Sequence, residues 1–130
     1  MVDTAQRFLD LFAGSKGAHG LADVLGQQRG AKQQAKYEII RQPLTVELVQ
    51  DHLDGKLGVG SIPIDESNRC RFGALDIDDY HLDHAQLLAK IKRFKLPLIL
   101  CRSKSGGAHL YLFMAESISC AETRDRLAEF

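Results

Sequence analysis

The chain has 130 residues and a mass of 14.5 kDa, room for one domain and too little for two ordinary ones. Its 45% hydrophobic and 26% charged residues belong to a folded globular protein, not a disordered one. Its 17 basic and 17 acidic side chains cancel, which argues against a histone-like, purely electrostatic nucleic-acid binder. No run approaches the roughly 18 apolar residues that span a bilayer, so no membrane partner is expected. Met1-Val2-Asp3-Thr4 also lacks the basic start and apolar run of a secretory signal. Cys70, Cys101 and Cys120 are odd in number and widely spaced, neither a disulfide framework nor a zinc pattern. They read as small core residues in a reducing, cytoplasmic compartment.

In chain order, the spacing of Phe8, Leu9, Leu11 and Phe12 predicts a helix over 4–13, capped by Asp3 or Thr4 and ended by Gly14. Residues 14–35, rich in Gly, Gln and small side chains, read as a long loop with room for a short helix. Within it, His19 is open to two readings, a contact to nucleotide or template and a structural turn. Arg29, Lys32 and Lys36 either touch a nucleic-acid backbone or form a solvated loop. Residues 37–41 suit a short strand, and Thr45 caps a helix through Leu53 that Gly55 stops. Residues 57–64 read as a strand, 65–68 as a turn, and 70–78 as the return strand of a hairpin. Asp83, with Gln86 three residues on, opens the clearest helix, with Ala85, Leu88, Ile91 and Phe94 as its apolar face. The nearly all-apolar stretch 97–101 has the pattern of a strand buried on both faces. Residues 103–107 form a loop, 108–114 an alternating strand, and Ser119 with Glu122 starts a last helix. The fold class expected from this order is α+β, a single domain over 1–130 with a mixed β-sheet packed with helices.

Charge is patchy beneath the zero average. Four aspartates (Asp76, Asp78, Asp79, Asp83) lie between positions 76 and 83. Six basic residues and no acid lie between Lys90 and Lys104. On the 70–78 strand, alternation sets Asp76 and Asp78 on one face, roughly 7 Å apart by strand rise. Two such carboxylates repel unless a divalent cation lies near them, and hard oxygen donors favour Mg²⁺ or Mn²⁺. The plain alternative is a strand end that shows polar residues to solvent. Farther on, an apolar strand delivers Arg102-Ser103-Lys104-Ser105-Gly106-Gly107-Ala108-His109. Its glycines let backbone N–H groups approach an anion and its two cations add charge, so the loop suits phosphate as well as a simple hairpin turn. His109 by itself reads as a structural histidine, while Tyr111 and Phe113 either stack a base or line a core. Acidic strand end and phosphate-type loop together make a metal–nucleotide site.

The hydrophobic strand ending Asp76-Ile77-Asp78, a helix, and an apolar strand leading into Arg102-Ser103-Lys104-Ser105-Gly106-Gly107-Ala108-His109-Leu110-Tyr111-Leu112-Phe113 resemble the archaeo-eukaryotic primase superfamily. The resemblance is to primase-polymerase domains of phages, plasmids and TOTE conflict systems. The upstream Ala18-His19-Gly20 and the run from His52 to Ile64 look like theirs as well, so the resemblance covers about residues 8–130. It implies Asp76 and Asp78 as carboxylates for catalytic Mg²⁺ or Mn²⁺, and His109, with Ser105 upstream, as contacts to the phosphates of the incoming nucleotide. The implied reaction is DNA primase-polymerase nucleotidyl transfer, with (d)NTPs extending a 3′-hydroxyl on a DNA template and releasing pyrophosphate. A helicase, or a C-terminal portion of the same enzyme, is the implied protein partner.

Two departures follow from the same comparison. Ser105 and His109 are separated by three residues, wider than a Ser-x-His motif. The superfamily's third motif, a metal-binding carboxylate on a later strand, has no counterpart, since Glu116, Glu122, Asp125 and Glu129 lack that context. The chain is therefore expected to match the N-terminal half of a primase-polymerase core. A catalytically incomplete nucleotide- or single-strand-binding module is the alternative, and a metal-dependent nuclease a third reading.

Overall fold

In a computed structural model, which describes residues 3–23 and 36–130, four helices accompany two three-stranded antiparallel sheets. The elements are α1 (Thr4–Leu11), β1 (His19–Ala22), β2 (Tyr37–Ile40), α2 (Val46–Leu53), β3 (Gly58–Gly60), β4 (Arg69–Ile77), α3 (His84–Arg93), β5 (Ile99–Arg102), β6 (Ala108–Ser119) and α4 (Cys120–Ala128). The α+β class stands. The single mixed sheet does not: the strand orders are β2-β1-β3 and β4-β6-β5, and every pairing is antiparallel. Nor do the segments around 57–64 and 70–78 form a hairpin. β3 is only three residues long and pairs with β1, whereas β4 pairs with β6, some forty residues later in the chain.

Helix boundaries follow local chemistry. Asp3, Thr45, Asp83 and Ser119 each hold extended backbone at the N-cap and accept a hydrogen bond from an otherwise free backbone N–H, those of Ala5, Leu48, Gln86 and Glu122. Gly55, at φ +77°, takes the left-handed position that ends α2.

The core lies between the second sheet and α3. Leu110 and Leu112 of β6 meet Ile91 and Leu98, with Leu75, Ile77, Leu87 and Leu100 packed around them. The face that α3 buries therefore runs through Leu87 and Ile91. Ala85, Leu88 and Phe94, assigned to it from the sequence, are exposed. The opposite face of the sheet meets α1, where the Phe12 ring stands edge-on to Phe72, Tyr111 and Phe113 at centroid distances of 5.2, 5.3 and 5.4 Å. That contact ties the N-terminal helix to the sheet.

Other expectations are corrected. β5 is not buried on both faces: it is an edge strand paired only to β6, and Ile99 is 54% exposed. Apolarity on both faces cannot reveal whether a neighbour covers each. Of the three cysteines read as core, only Cys70 is buried; Cys120 is half-buried and Cys101 exposed. His19 lies in no loop. It is buried on β1 at 2% exposure, its Nδ1–H donating to the Gln42 carbonyl at 2.6 Å. Residues 24–35, including Arg29 and Lys32, lie outside the described residues, and Lys36 is exposed.

β6 runs to Ser119, five residues beyond the alternating pattern. Between the pairs Phe72–Phe113 and Cys70–Ile118 its register shifts. Arginine side chains reach carbonyls across the shift, Arg71 to Ala115 at 3.2 Å and Arg69 to Ser117.

Leu110→Ala removes the centre of the core cluster and is expected to cost about 3 kcal/mol, by lost transfer energy plus the cavity left behind. Urea unfolding should show a lower midpoint with unchanged slope.

Candidate functional site

β6 alternates, and its two faces divide the labour. Leu110 and Leu112 enter the core; His109, Tyr111 and Phe113 point the other way. The register then decides what meets His109. Asp76 of β4 lies opposite it on one side and Cys101 of β5 on the other. The Asp76 carboxylate is 3.4 Å from His109 Nε2, and the Tyr111 hydroxyl is 3.4 Å from Nδ1. A carboxylate only accepts, so the pairing favours the tautomer with hydrogen on Nε2, which leaves Nδ1 to accept from the phenol. Burial, followed by the nearby Cys101 and Asp76 charges, pushes the Tyr111 phenol above its usual range and keeps it a neutral donor.

Asp78 is placed differently. β4 ends at Ile77, so Asp78 is exposed in the segment that follows and is not part of the strand-face pair expected from alternation. That segment braces the glycine loop. Gly106 sits at φ +101°, and a Cβ there would lie 2.9 Å from the Tyr80 carbonyl; a Cβ at Gly107 would overlap the Ile77 carbonyl. The His84 Nε2–H donates to the Gly107 carbonyl at 2.8 Å, and Ser103 and Gly107 close the loop through a 3.1 Å backbone bond. The stretch after one motif is thus the floor under the other. Within the loop, Arg102 and Lys104 are exposed, Ser103 and Gly106 half-buried, and Ser105 and Gly107 buried.

Two concavities open here and share Arg102. A cavity of about 440 Å³ between the two sheets is lined by Phe12, Val49, His52, Phe72, Cys101, His109 and Tyr111 among others. A polar groove of about 480 Å³ is lined by Tyr80, Leu82, His84, Arg102, Ser103, Lys104 and Gly106. An aromatic cavity that adjoins a cationic groove is a shape suited to a ligand with a flat apolar part and an anionic tail. Sequence reasoning missed Phe12 and His84 as parts of this region. Phe12 looked like any helix-face residue, and His84 only the first residue after a cap. Their roles come from contacts with residues far away in the chain.

Among the described residues, no group of three or more His, Cys, Asp or Glu side chains converges as a metal cage. The Asp76 side chain is 62% exposed and Asp78 is exposed in the segment after β4, so both carboxylates are open to solvent. Carboxylate oxygens are the donor type that a hard divalent ion of the Mg²⁺ type takes. Such an ion keeps several waters and is held through one or two carboxylates plus substrate phosphates.

Fold and site together make an α+β domain with a carboxylate–imidazole pair on a sheet face and a cationic glycine loop at its edge. Residues 6–129 match the family model described as TOTE conflict system, Archaeo-Eukaryotic Primase domain, and the chain belongs to that family. It is a family of primase-like, nucleotidyltransferase type associated with conflict systems, which implies dealings with nucleotides and nucleic acid. No curated protein matches the chain. No helix among the described residues is long and apolar enough to cross a membrane.

Because the fold holds Tyr111 neutral, its folded-state pKa lies above the unfolded one. The resulting stability is complete below the unfolded value, near 10, and is lost as pH rises through the folded value. Ultraviolet titration of the phenols should place Tyr111 above the ordinary range, and Tyr111→Phe should remove that late part of the absorbance rise.

Proposed function

We propose that the chain is a metal-dependent nucleotidyltransferase domain of the DNA primase-polymerase kind, extending a 3′-hydroxyl with (d)NTPs on a DNA template. The observation that carries this reading is the register pairing of Asp76 with His109 beside the loop that holds Arg102 and Lys104. In this reading Asp76 and Asp78 hold Mg²⁺ or Mn²⁺. When bound, such an ion neutralises charge on the attacking and leaving oxygens. Arg102 and Lys104, both exposed on the loop and lining the polar groove, draw the triphosphate to it by charge. Ser103 and Ser105 bring hydroxyls to the same loop, Ser105 from a buried position. His109 donates to a phosphate oxygen through Nε2–H once the nucleotide displaces its Asp76 contact, and Tyr111 holds the other ring nitrogen. The base and sugar lie toward the aromatic cavity.

A second reading is favoured by the acidic residues of the C-terminal stretch. Glu122 is paired to Arg126 at 2.9 Å, Asp125 to Arg124 at 3.4 Å, and Glu116 is exposed beside the register shift of β6. None accompanies Asp76, so the chain by itself is then a nucleotide- or single-strand-binding module. A C-terminal portion of the same enzyme, or a helicase, is the partner in either reading, and the cytoplasm the compartment.

Primer extension with Mn²⁺ and all eight (d)NTPs distinguishes these. The nucleotidyltransferase reading expects strand lengthening and pyrophosphate release, both abolished by chelation or by Asp76→Ala/Asp78→Ala. His109→Ala should slow extension about 100-fold, the usual effect of losing one charge-stabilising donor. Metal-dependent NTP binding without lengthening assigns the binding module; a labelled strand that shortens assigns a nuclease and overturns both.

A further inference from the structure

The Sγ atoms of Cys70 and Cys120 lie 2.9 Å apart, although the residues are fifty positions apart in sequence. Three features of the backbone bring them together. Cys70 sits near the start of β4, opposite Ile118 across the register shift in β6. Ser119 ends the strand and caps α4 with no residue between, so Cys120 opens the helix directly above that pair. The Cys120 N–H also donates to the Asn68 carbonyl at 3.0 Å, which clamps the helix start to the turn before β4. Cys70 is buried and Cys120 half-buried, while Cys101 is exposed on β5. Cys101 pairs in register with His109, itself opposite Asp76, which stands six residues along β4 from Cys70, about 20 Å by strand rise. A disulfide needs an S–S distance near 2.05 Å, so the two sulfurs must approach by only about 0.9 Å.

We propose that Cys70 and Cys120 are a reversible thiol–disulfide pair, a redox modification site on the domain that closes under peroxide and reopens under dithiols. The inference is independent of the proposed reaction. Cys120, the more exposed partner, meets the oxidant: its sulfur attacks a peroxide oxygen, the O–O bond breaks, and a sulfenic acid forms while the leaving oxygen takes the proton as water. The Cys70 sulfur then attacks Cys120 Sγ, the S–O bond breaks, and the Cys70 thiol proton leaves with that oxygen as a second water. Two thiols lose two electrons in all, and hydrogen peroxide is reduced to two waters. Burial pushes the Cys70 thiol up to about 11, with its bond to Cys120 adding to the rise, so this thiol is protected from direct attack, and its 2.9 Å approach to Cys120 Sγ is what fits it to the resolving step. The closed loop encompasses Asp76, the glycine loop and His109, and it fastens the start of β4 to α4.

The test uses the full chain treated with hydrogen peroxide and then counted for free thiols. The expected count falls from three to one, with loss of two hydrogens by intact mass and a Cys70–Cys120 peptide in a non-reducing digest. The melting temperature should rise by about 5 °C or more, since the cross-link restricts the unfolded chain, and dithiothreitol should reverse the rise. Cys101→Ser should still close the link, losing both remaining thiols. Cys70→Ser should instead accumulate on Cys120 a sulfenic acid that dimedone traps. Three thiols that remain free under peroxide, or a link that includes Cys101, overturns the proposal.

Discussion

The alternation of β6 is the constraint on which the rest of the molecule depends. One strand at the centre of its sheet sends Leu110 and Leu112 into the only buried aliphatic cluster described and presents His109 and Tyr111 on the other face. Core packing is unforgiving, because a one-residue slip would carry the leucines to the cavity face and the imidazole into the core. The burial that stabilises the sheet therefore also sets the height of His109 against Asp76 to within one residue. Site geometry here is a consequence of core packing.

The glycine loop depends on the same arrangement from below. Its shape is held less by its own sequence than by the segment leaving β4, which offers the carbonyls of Ile77 and Tyr80 where side chains would otherwise stand and the His84 ring as a prop under Gly107. Glycine at 106 and 107 thus has a steric cause apart from any ligand. That cause also couples the two motifs, for a displacement of the Asp78 segment moves the loop floor. Arg102, shared by the aromatic cavity and the cationic groove, stands where the two meet.

The first sheet contributes walls. Tyr37 lies over Gly20 and Gly60, where its hydroxyl fills space that a Cβ would claim, and Val59 to Ser61 form one side of the cavity opposite Tyr111. α1 closes the gap with Phe12, whose contact with three rings of the second sheet is why this half of the chain belongs to the site.

By itself the sequence determined what depends on neighbours a few positions away. Asp3, Thr45, Asp83 and Ser119 mark helix starts because a cap satisfies an N–H within three residues, and Gly55 marks an end because φ there is positive. The alternation of residues 108–114 was legible for the same reason, and the family resemblance was legible from short motifs in the chain itself. Tertiary structure alone decided that β3 and β4 belong to different sheets, that β5 is an edge, that Asp78 falls past the strand end, and that Cys70 meets Cys120. Each of these is a choice of partner between segments far apart in the chain. Strand patterns report which face is apolar and not which strand lies alongside, so only the packed molecule could settle them.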